Sequence, residues 1–248
     1  MSIQFSDTST LKGLAQLYER ENGFEYGYIT GNPQRMKAFT ADTNLAVDRF
    51  FAIAIPASGK WQLDDSNHEK YPFIKTNIVA GQRSYTFTED QQGNLILDIY
   101  RVAILPSATA TEYDEIYPVD VQSDNNSIGI LRETATQGTP DRYDKTANGI
   151  ILDPIPSYNA TLGLKMYINR EANYFSYEDT TKKPGVPGLF HSYFYLYPSL
   201  EEARRKGRPN HNLLLQRIIE MEDKIVEHFA KRDRDDRDTL EPQPICFQ

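Results

Sequence analysis

Cysteine is almost absent from this chain of 248 residues: its one cysteine, Cys246, is the third residue from the end. A single cysteine excludes a disulfide within the chain and a cysteine-based metal site. The longest apolar run, Phe50 to Pro56, is far shorter than the roughly 20 residues that a membrane-spanning helix needs. The N-terminal residues lack a basic region followed by an apolar stretch. We therefore expect no signal peptide, no membrane association and assembly in a reducing cytoplasm.

Positive charge is also in short supply. Lysine and arginine number 27 against 35 aspartates and glutamates, which gives a net charge of −8 and a pI of about 5.1. A protein that binds nucleic acid through contacts to the phosphates needs a basic surface. The composition argues against that role, although it allows a surface past which DNA slides without binding.

Recognisable catalytic patterns are missing as well. No two of the four histidines stand at helical metal-site spacing, and nucleophile-elbow, P-loop and dinucleotide-binding glycine patterns are absent. A hydrolase would need carboxylates brought together from distant segments, for which Asp64, Asp98 and Asp153 are the candidates. The sequence favours a protein that is not an enzyme and that holds no cofactor or metal. The four histidines are His68, His191, His211 and His228.

Helical patterns occupy both ends of the chain and strand patterns occupy its middle. We predict one helix from the caps Asp7 to Ser9 onward, a second over about 34–55, and two more after Pro187, one of them starting at Ser199. Between about 73 and 169, short apolar runs alternate with turn residues. The predicted fold class is α+β, an α-helical bundle with an inserted antiparallel β-sandwich or barrel. The predicted divisions are 1–66 and 173–233 for the two helical halves, 67–172 for the β module and 234–248 for an extended tail.

The last predicted helix has the clearest amphipathic pattern. Apolar side chains recur along it at helical spacing, and further apolar residues widen the face enough to contact more than one neighbour. A run of alternating arginine and aspartate follows, over residues 232–238, which we interpret either as a solvated helix end or as part of an interface between copies. The predicted subunit-interface residues are Leu214, Ile218, Met221, Ile225 and Phe229.

Several phrases are similar to virion proteins of tailed bacteriophages. They are DTNLAVDRFFAIA, GKWQLDDSNHEKYPFIKTNIVAGQRSYTF, LDIYRVAIL, GTPDRYDKTANGIILDPIP and PGLFHSYFYLYPSLEEARRKG, which together span about residues 40 to 230. A tryptophan-containing loop leads into a β module, and two helices close the chain. In this order the chain resembles the head–tail connector, or adaptor, proteins that sit below the portal.

The resemblance implies a structural virion protein at the head–tail interface. It implies a homo-oligomeric ring, commonly of twelve copies, with the portal protein above, a tail or stopper protein below, and DNA passing through without specific binding. It also implies that the C-terminal segment reaches the portal. The residues predicted for that contact are Arg232, Arg234, Arg237, Ile245 and Phe247.

A ligand-binding role for the β module is the alternative. Antiparallel β folds in tail and fibre proteins often hold carbohydrate, and the chain has 16 tyrosines, whose rings suit partly wet binding surfaces. Strand composition explains the same excess, since tyrosine favours strands. A groove lined by exposed tyrosines on the β module would favour this alternative.

Overall fold

The structure is a computed structural model that describes residues 2–59, 62–119 and 136–232. The chain divides into two compact units. Residues 1–63 and 174–248 form the helical unit, and residues 64–173 form the β unit. The tail that we predicted over 234–248 lies outside the described residues.

The helical unit contains four α-helices in its described part. They are α1 (Leu14–Glu21), α2 (Pro33–Ala57), α3 (Tyr193–Lys206) and α4 (His211–Arg232), and a 3₁₀ turn at Gly188–Phe190 precedes α3. Helix α2 begins where the Asn32 side chain accepts hydrogen bonds from the amides of Gln34 and Arg35. Helix α3 ends at Gly207, whose φ of 59° is left-handed.

The first and third helices do not start where the sequence patterns placed them. The Asp7 carboxylate caps a local turn by accepting from Ser9 and Thr10, and Leu11 then takes a φ of 57°, so α1 begins only at Leu14. Helix α3 runs through Pro198 and has no start at Ser199.

The core of the helical unit is rich in aromatic rings. The fully buried Phe50 of α2 lies with its ring centroid 5.7 Å from that of Phe194 and 5.9 Å from that of Phe229. Phe190 and Tyr193 lie against the same ring. Tilted and edge-on contacts of this kind favour a fixed arrangement of α2, α3 and α4.

The β unit contains nine short strands in its described part. They are β1 (Phe73–Ile78), β2 (Ser84–Thr86), β3 (Ile96–Ile104), β4 (Asp114–Pro118), β5 (Gln137–Gly138), β6 (Arg142–Thr146), β7 (Gly149–Asp153), β8 (Ile155–Pro156) and β9 (Ala160–Arg170). Seven of them form one sheet in the order β1-β9-β3-β4-β6-β7-β2, while β5 and β8 pair separately.

The two outermost strands of this sheet follow each other in the chain. Strand β1 ends at Ile78 and β2 begins at Ser84, so the short turn between them ties the two edges together at one end. Several hydrogen bonds fix this turn; among them, the Val79 amide donates to the Tyr85 hydroxyl, 3.1 Å away, and the Gly81 amide donates to the Pro156 carbonyl, 2.8 Å away. The sheet therefore curls around a single core to which both halves contribute apolar side chains.

The predicted fold class, an α-helical bundle with an inserted antiparallel sandwich or barrel, is wrong. The structure is mostly one seven-stranded mixed sheet curled into a half-barrel, and only 34% of it is helical. Strands β4 and β6 pair in parallel, at Tyr117 with Arg142 and Pro118 with Tyr143, and this pair joins two antiparallel halves. Alternating apolar residues predict a strand but carry no information on the direction of its neighbour, which is why the pattern suggested a purely antiparallel module.

Candidate interaction surfaces

The predicted interface residues of α4 belong largely to the chain's own core. Leu214, Ile218, Ile225 and Phe229 are buried in the helical unit, and Met221 is partly buried. The four buried residues hold α4 against the rest of this unit, so a partner does not reach them in the folded chain. Of the predicted portal-contacting residues, Arg232 is exposed at the end of α4. The others, Arg234, Arg237, Ile245 and Phe247, lie outside the described residues.

A different set of aliphatic side chains on α4 faces solvent. Leu215, Ile219 and Val226 keep between 39% and 50% of their surface exposed. Their spacing of four and seven residues puts them on one line along the helix. We call these three residues the apolar stripe.

A groove runs along α4 as well. Leu189 and Phe190 of the 3₁₀ turn form one wall, and Met221, Lys224 and His228 of α4 form the other, around a volume of about 330 Å³. Leu189 is 73% exposed, which is unusual for a leucine beside an apolar wall. A second, more polar hollow of about 230 Å³ adjoins it and shares Met221 and Lys224. We call the first of these the apolar groove.

The outer face of the β unit carries rings and cations side by side. Phe73 of β1 is paired in register with Tyr167 of β9, and Tyr167 is paired with Arg101 of β3. Two residues further along β1, Lys75 is paired with Lys165 of β9. Their neighbours in each strand point into the core, so all five side chains share the outer face. We call this set the aromatic face.

Lys165 lies at the centre of the aromatic face. Its ammonium is 4.7 Å from the ring centroid of Phe73 and 4.4 Å from that of Tyr167, and it donates a hydrogen bond of 2.6 Å to the Tyr167 hydroxyl. Tyr71, the most exposed large ring described, stacks on Phe73 with 6.5 Å between centroids. Contacts of this kind hold the rings in place. Phe73 and Tyr167 are partly buried beneath these contacts, whereas Tyr71 is exposed.

The three carboxylates considered for hydrolysis bind three different cations. Asp64 makes a bidentate pair with Arg170, Asp98 pairs with Lys145 at 3.0 Å, and Asp153 pairs with Arg142 at 2.8 Å. They do not form the pair of facing carboxyls that glycoside hydrolysis requires. Their role in the described structure is to form ion pairs within the β unit.

Buried polar groups concentrate where the chain enters and leaves the β unit. The Asp65 carboxylate accepts from the amides of Asn67 and Asn173 at 2.8 and 2.9 Å, and burial raises its pKa. Arg170 binds Asp64 and Asp90 and also donates to the Lys70 carbonyl. These contacts join residues 64–70 to residues 170–173 and close the β unit at its base.

The histidines are held by structural contacts. His191 is buried, and its two ring nitrogens contact the Ile3 amide and the Val186 carbonyl. His68 contacts the Glu171 carbonyl at 3.0 Å, and His228 lies edge-on against the ring of Phe190. Within the described ranges, no group of three or more acidic, histidine or cysteine side chains is placed to hold a metal ion.

A comparison with models of known protein families and a comparison with curated proteins found no match. Among the residues that the structure describes, no helix is both long and apolar enough to span a bilayer. The candidate surfaces therefore have to be interpreted from their own chemistry.

Sequence reasoning missed the apolar groove and the aromatic face. The groove forms where the 3₁₀ turn packs against α4. These two segments are about thirty residues apart in sequence, so local sequence patterns do not predict their contact. Part of the aromatic face could have been predicted, because Phe73 and Lys75 lie two residues apart in one strand, as do Lys165 and Tyr167 in another. This spacing puts each pair on one side of its strand. Only the register between the strands, which sequence patterns do not specify, brings the two pairs together.

Proposed function

We propose that this protein is a structural virion component that assembles as a ring below a phage portal and joins the head to the tail. The observation that carries the proposal is the apolar stripe of α4. Monomeric proteins bury most aliphatic residues of this size, and a line of exposed ones marks a surface covered by another protein. The resemblance of several phrases to connector proteins supports this kind of assembly.

Charge supports the same role. A ring through which DNA passes has to avoid binding it, and the net charge of −8 disfavours phosphate contacts. Closed rings form through heterologous contacts, in which two different patches of the same subunit meet. The helical unit offers two such patches, the apolar stripe and the apolar groove.

The direct test is the mass of the full chain, measured alone and after mixing with the portal protein of the same phage. We expect a closed oligomer, of about twelve copies as the resemblance implies, either alone or on the portal. Electron microscopy of the mixture should show this ring at the portal vertex. A chain that stays monomeric under both conditions contradicts the proposal.

The aromatic face of the β unit supports a second candidate function. Sugar rings stack on exposed aromatic side chains, and flanking polar groups then bind the hydroxyls. Tyr71 offers exposed ring surface, and Arg101 and Lys165, which lie over the Tyr167 ring, offer donors. This arrangement supports a carbohydrate-binding tail module.

Glycan-array binding separates the second candidate from the first. Binding of any glycan by the full chain, lost in Tyr71→Ala and Tyr167→Ala but kept in Tyr26→Ala, would support a carbohydrate-binding module. Tyr26 is an exposed tyrosine of the helical unit, so it controls for unspecific ring contacts. Absence of binding, together with ring formation, would leave the connector as the one surviving role.

A further inference from the structure

The apolar stripe and the apolar groove lie on opposite sides of the same helix. At about 100° per residue, the stripe and the groove-lining residues of α4 centre on directions roughly 180° apart around the helix axis. The buried residues Leu214, Ile218 and Ile225 lie between these directions. Helix α4 is therefore packed on one face, with the apolar stripe on one flank and the apolar groove on the other.

The two surfaces match in length and in chemistry. The stripe, from Leu215 to Val226, extends about 16 Å along the helix, while residues 221–231 of α4, which line the groove, extend about 15 Å. Three branched aliphatic side chains project on one flank, and an apolar hollow lies on the other. A projecting ridge and a groove of similar length are the two halves of a helix-packing contact.

Charges beside the two surfaces are also complementary. Asp223 flanks the stripe and is exposed. Lys224, Glu227 and Lys231 line the groove, and Glu227 and Lys231 pair with each other. Within the described residues neither Asp223 nor Lys224 makes an ion pair. When the stripe of one copy enters the groove of another, a carboxylate at the stripe and an ammonium at the groove come to the same contact.

We infer that copies of this chain bind each other head to tail, with the stripe residues Leu215, Ile219 and Val226 of one copy inserted beside Leu189 and Phe190 of the next. This inference rests on the proposed ring and names its contact surfaces. Because each copy uses two different patches, every added copy leaves one stripe and one groove open until the ring closes. Contact between two stripes, by contrast, would stop at a dimer.

Complementation between two variants tests the inference on the full chain. Ile219→Asp places a charge in the stripe, and Leu189→Asp places one in the groove wall. Both positions are exposed, so the fold should survive, which circular dichroism and thermal unfolding will check. Leu97→Asp, at an exposed leucine of the β unit, is the matched control. Mass is measured by analytical ultracentrifugation over a concentration series, for each variant alone and for equimolar mixtures.

We expect wild type and Leu97→Asp to form the same oligomer. Ile219→Asp alone and Leu189→Asp alone should each be monomeric, with self-association weakened roughly 100-fold or more by a charge in an apolar contact. The equimolar mixture of Ile219→Asp and Leu189→Asp should form heterodimers and nothing larger, because one intact groove then meets one intact stripe.

Three results would overturn the inference, and they differ in their consequences for the proposed ring. If wild type is oligomeric and both variants remain so, the contact surfaces are assigned wrongly while the ring proposal stands. If wild type is monomeric at every concentration, head-to-tail binding by the free chain is refuted, and the mass measurement with portal then decides the proposed ring separately. A mixture that stays monomeric while each variant is monomeric would also refute the pairing.

Discussion

The guanidinium of Arg170 and the carboxylate of Asp90 form an ion pair 3.1 Å long that is closed to solvent. Their side chains are 1% and 2% exposed. Burial opposes the charged form of Asp90, but hydrogen bonds from Asn94 and Gln92 and the bond from Arg170 outweigh it, so the pKa of this carboxyl is lowered. Arg170 therefore neutralises the buried carboxylate of Asp90 at the base of the β unit. Without this partner, the buried carboxylate would destabilise the fold.

Arg170→Met should strongly destabilise the β unit. It removes the partner of a buried carboxylate, which typically costs about 3 to 5 kcal/mol of unfolding free energy. Urea unfolding followed by circular dichroism measures the loss. Adding Asp90→Asn in the same chain should recover part of it, because the uncompensated charge is then gone.

The control for that experiment is an exposed ion pair of the same unit. Lys145 and Asp98 lie 3.0 Å apart with both side chains more than 40% exposed. Lys145→Met should change the free energy of unfolding by about 1 kcal/mol or less. Equal losses for Arg170→Met and Lys145→Met would show that burial of the Arg170 pair has no energetic consequence.

Glu19 organises the loop between α1 and α2. This fully buried carboxylate accepts hydrogen bonds from the amides of Gly27, Ile29 and Thr30 at 3.1, 2.7 and 3.3 Å. Glu19→Gln turns one acceptor oxygen into an NH₂ group and leaves at least one amide without an acceptor, at a cost of about 1 to 3 kcal/mol. Hydrogen exchange should show the amides of Gly27 and Ile29 losing protection.

Glu25 provides the control in the same loop. Its side chain is exposed, so Glu25→Gln should leave both the exchange pattern and the stability unchanged. Unaltered protection of Gly27 and Ile29 in Glu19→Gln would mean that other contacts position this loop.

Sequence patterns predicted α2 and α4 well because both are long and periodic. The second helix was expected over about 34–55, and the structure has it at Pro33–Ala57. Periodicity alone did not divide the apolar residues of α4 between the core and the surface. Ile218 and Ile219 are equally apolar neighbours, and only the positions of α2 and α3 make one buried and the other exposed.

Long-range pairing explains the other differences between prediction and structure. The strand residues themselves were recognisable, but the parallel pair of β4 with β6 brings together segments separated by more than twenty residues. Arg170 stands at the end of an apolar strand, where nothing nearby in sequence identifies its partners Asp64 and Asp90. Buried charges are rare unless paired, and only the folded chain identifies the pair.

The neighbours Ile218 and Ile219 should respond in opposite ways to the same substitution. Ile218→Asp puts a carboxylate into the core, and the lost burial and the unpaired charge should together cost more than about 4 kcal/mol. Ile219→Asp, on the exposed stripe, should change stability by about 1 kcal/mol or less. Thermal unfolding of the two variants measures this difference. Similar melting temperatures would mean that α4 is rotated relative to the described packing.

His191 should make the helical unit sensitive to acid. Its Nδ1 accepts from the Ile3 amide at 2.9 Å and its Nε2–H donates to the Val186 carbonyl at 3.0 Å, an arrangement that only the neutral ring provides. Burial, aided by nearby Lys183, lowers the pKa of His191 below its usual value of 6.5. Above that pH the ring is neutral in both states and contributes no pH dependence.

As the pH falls below 6.5, the unfolded chain binds a proton that the folded chain resists, so stability falls with decreasing pH, by up to about 1.4 kcal/mol per pH unit. His191→Asn keeps an acceptor near the Ile3 amide but cannot ionise. It should be less stable than wild type at neutral pH and lose this part of the acid dependence. His211→Asn, at a histidine whose side chain hydrogen-bonds to its neighbour Asn212, should keep the wild-type profile. The free energy of unfolding is measured for both proteins from neutral to acid pH. If it falls equally in wild type and in His191→Asn, the imidazole of His191 contributes nothing to the acid dependence and the prediction is refuted.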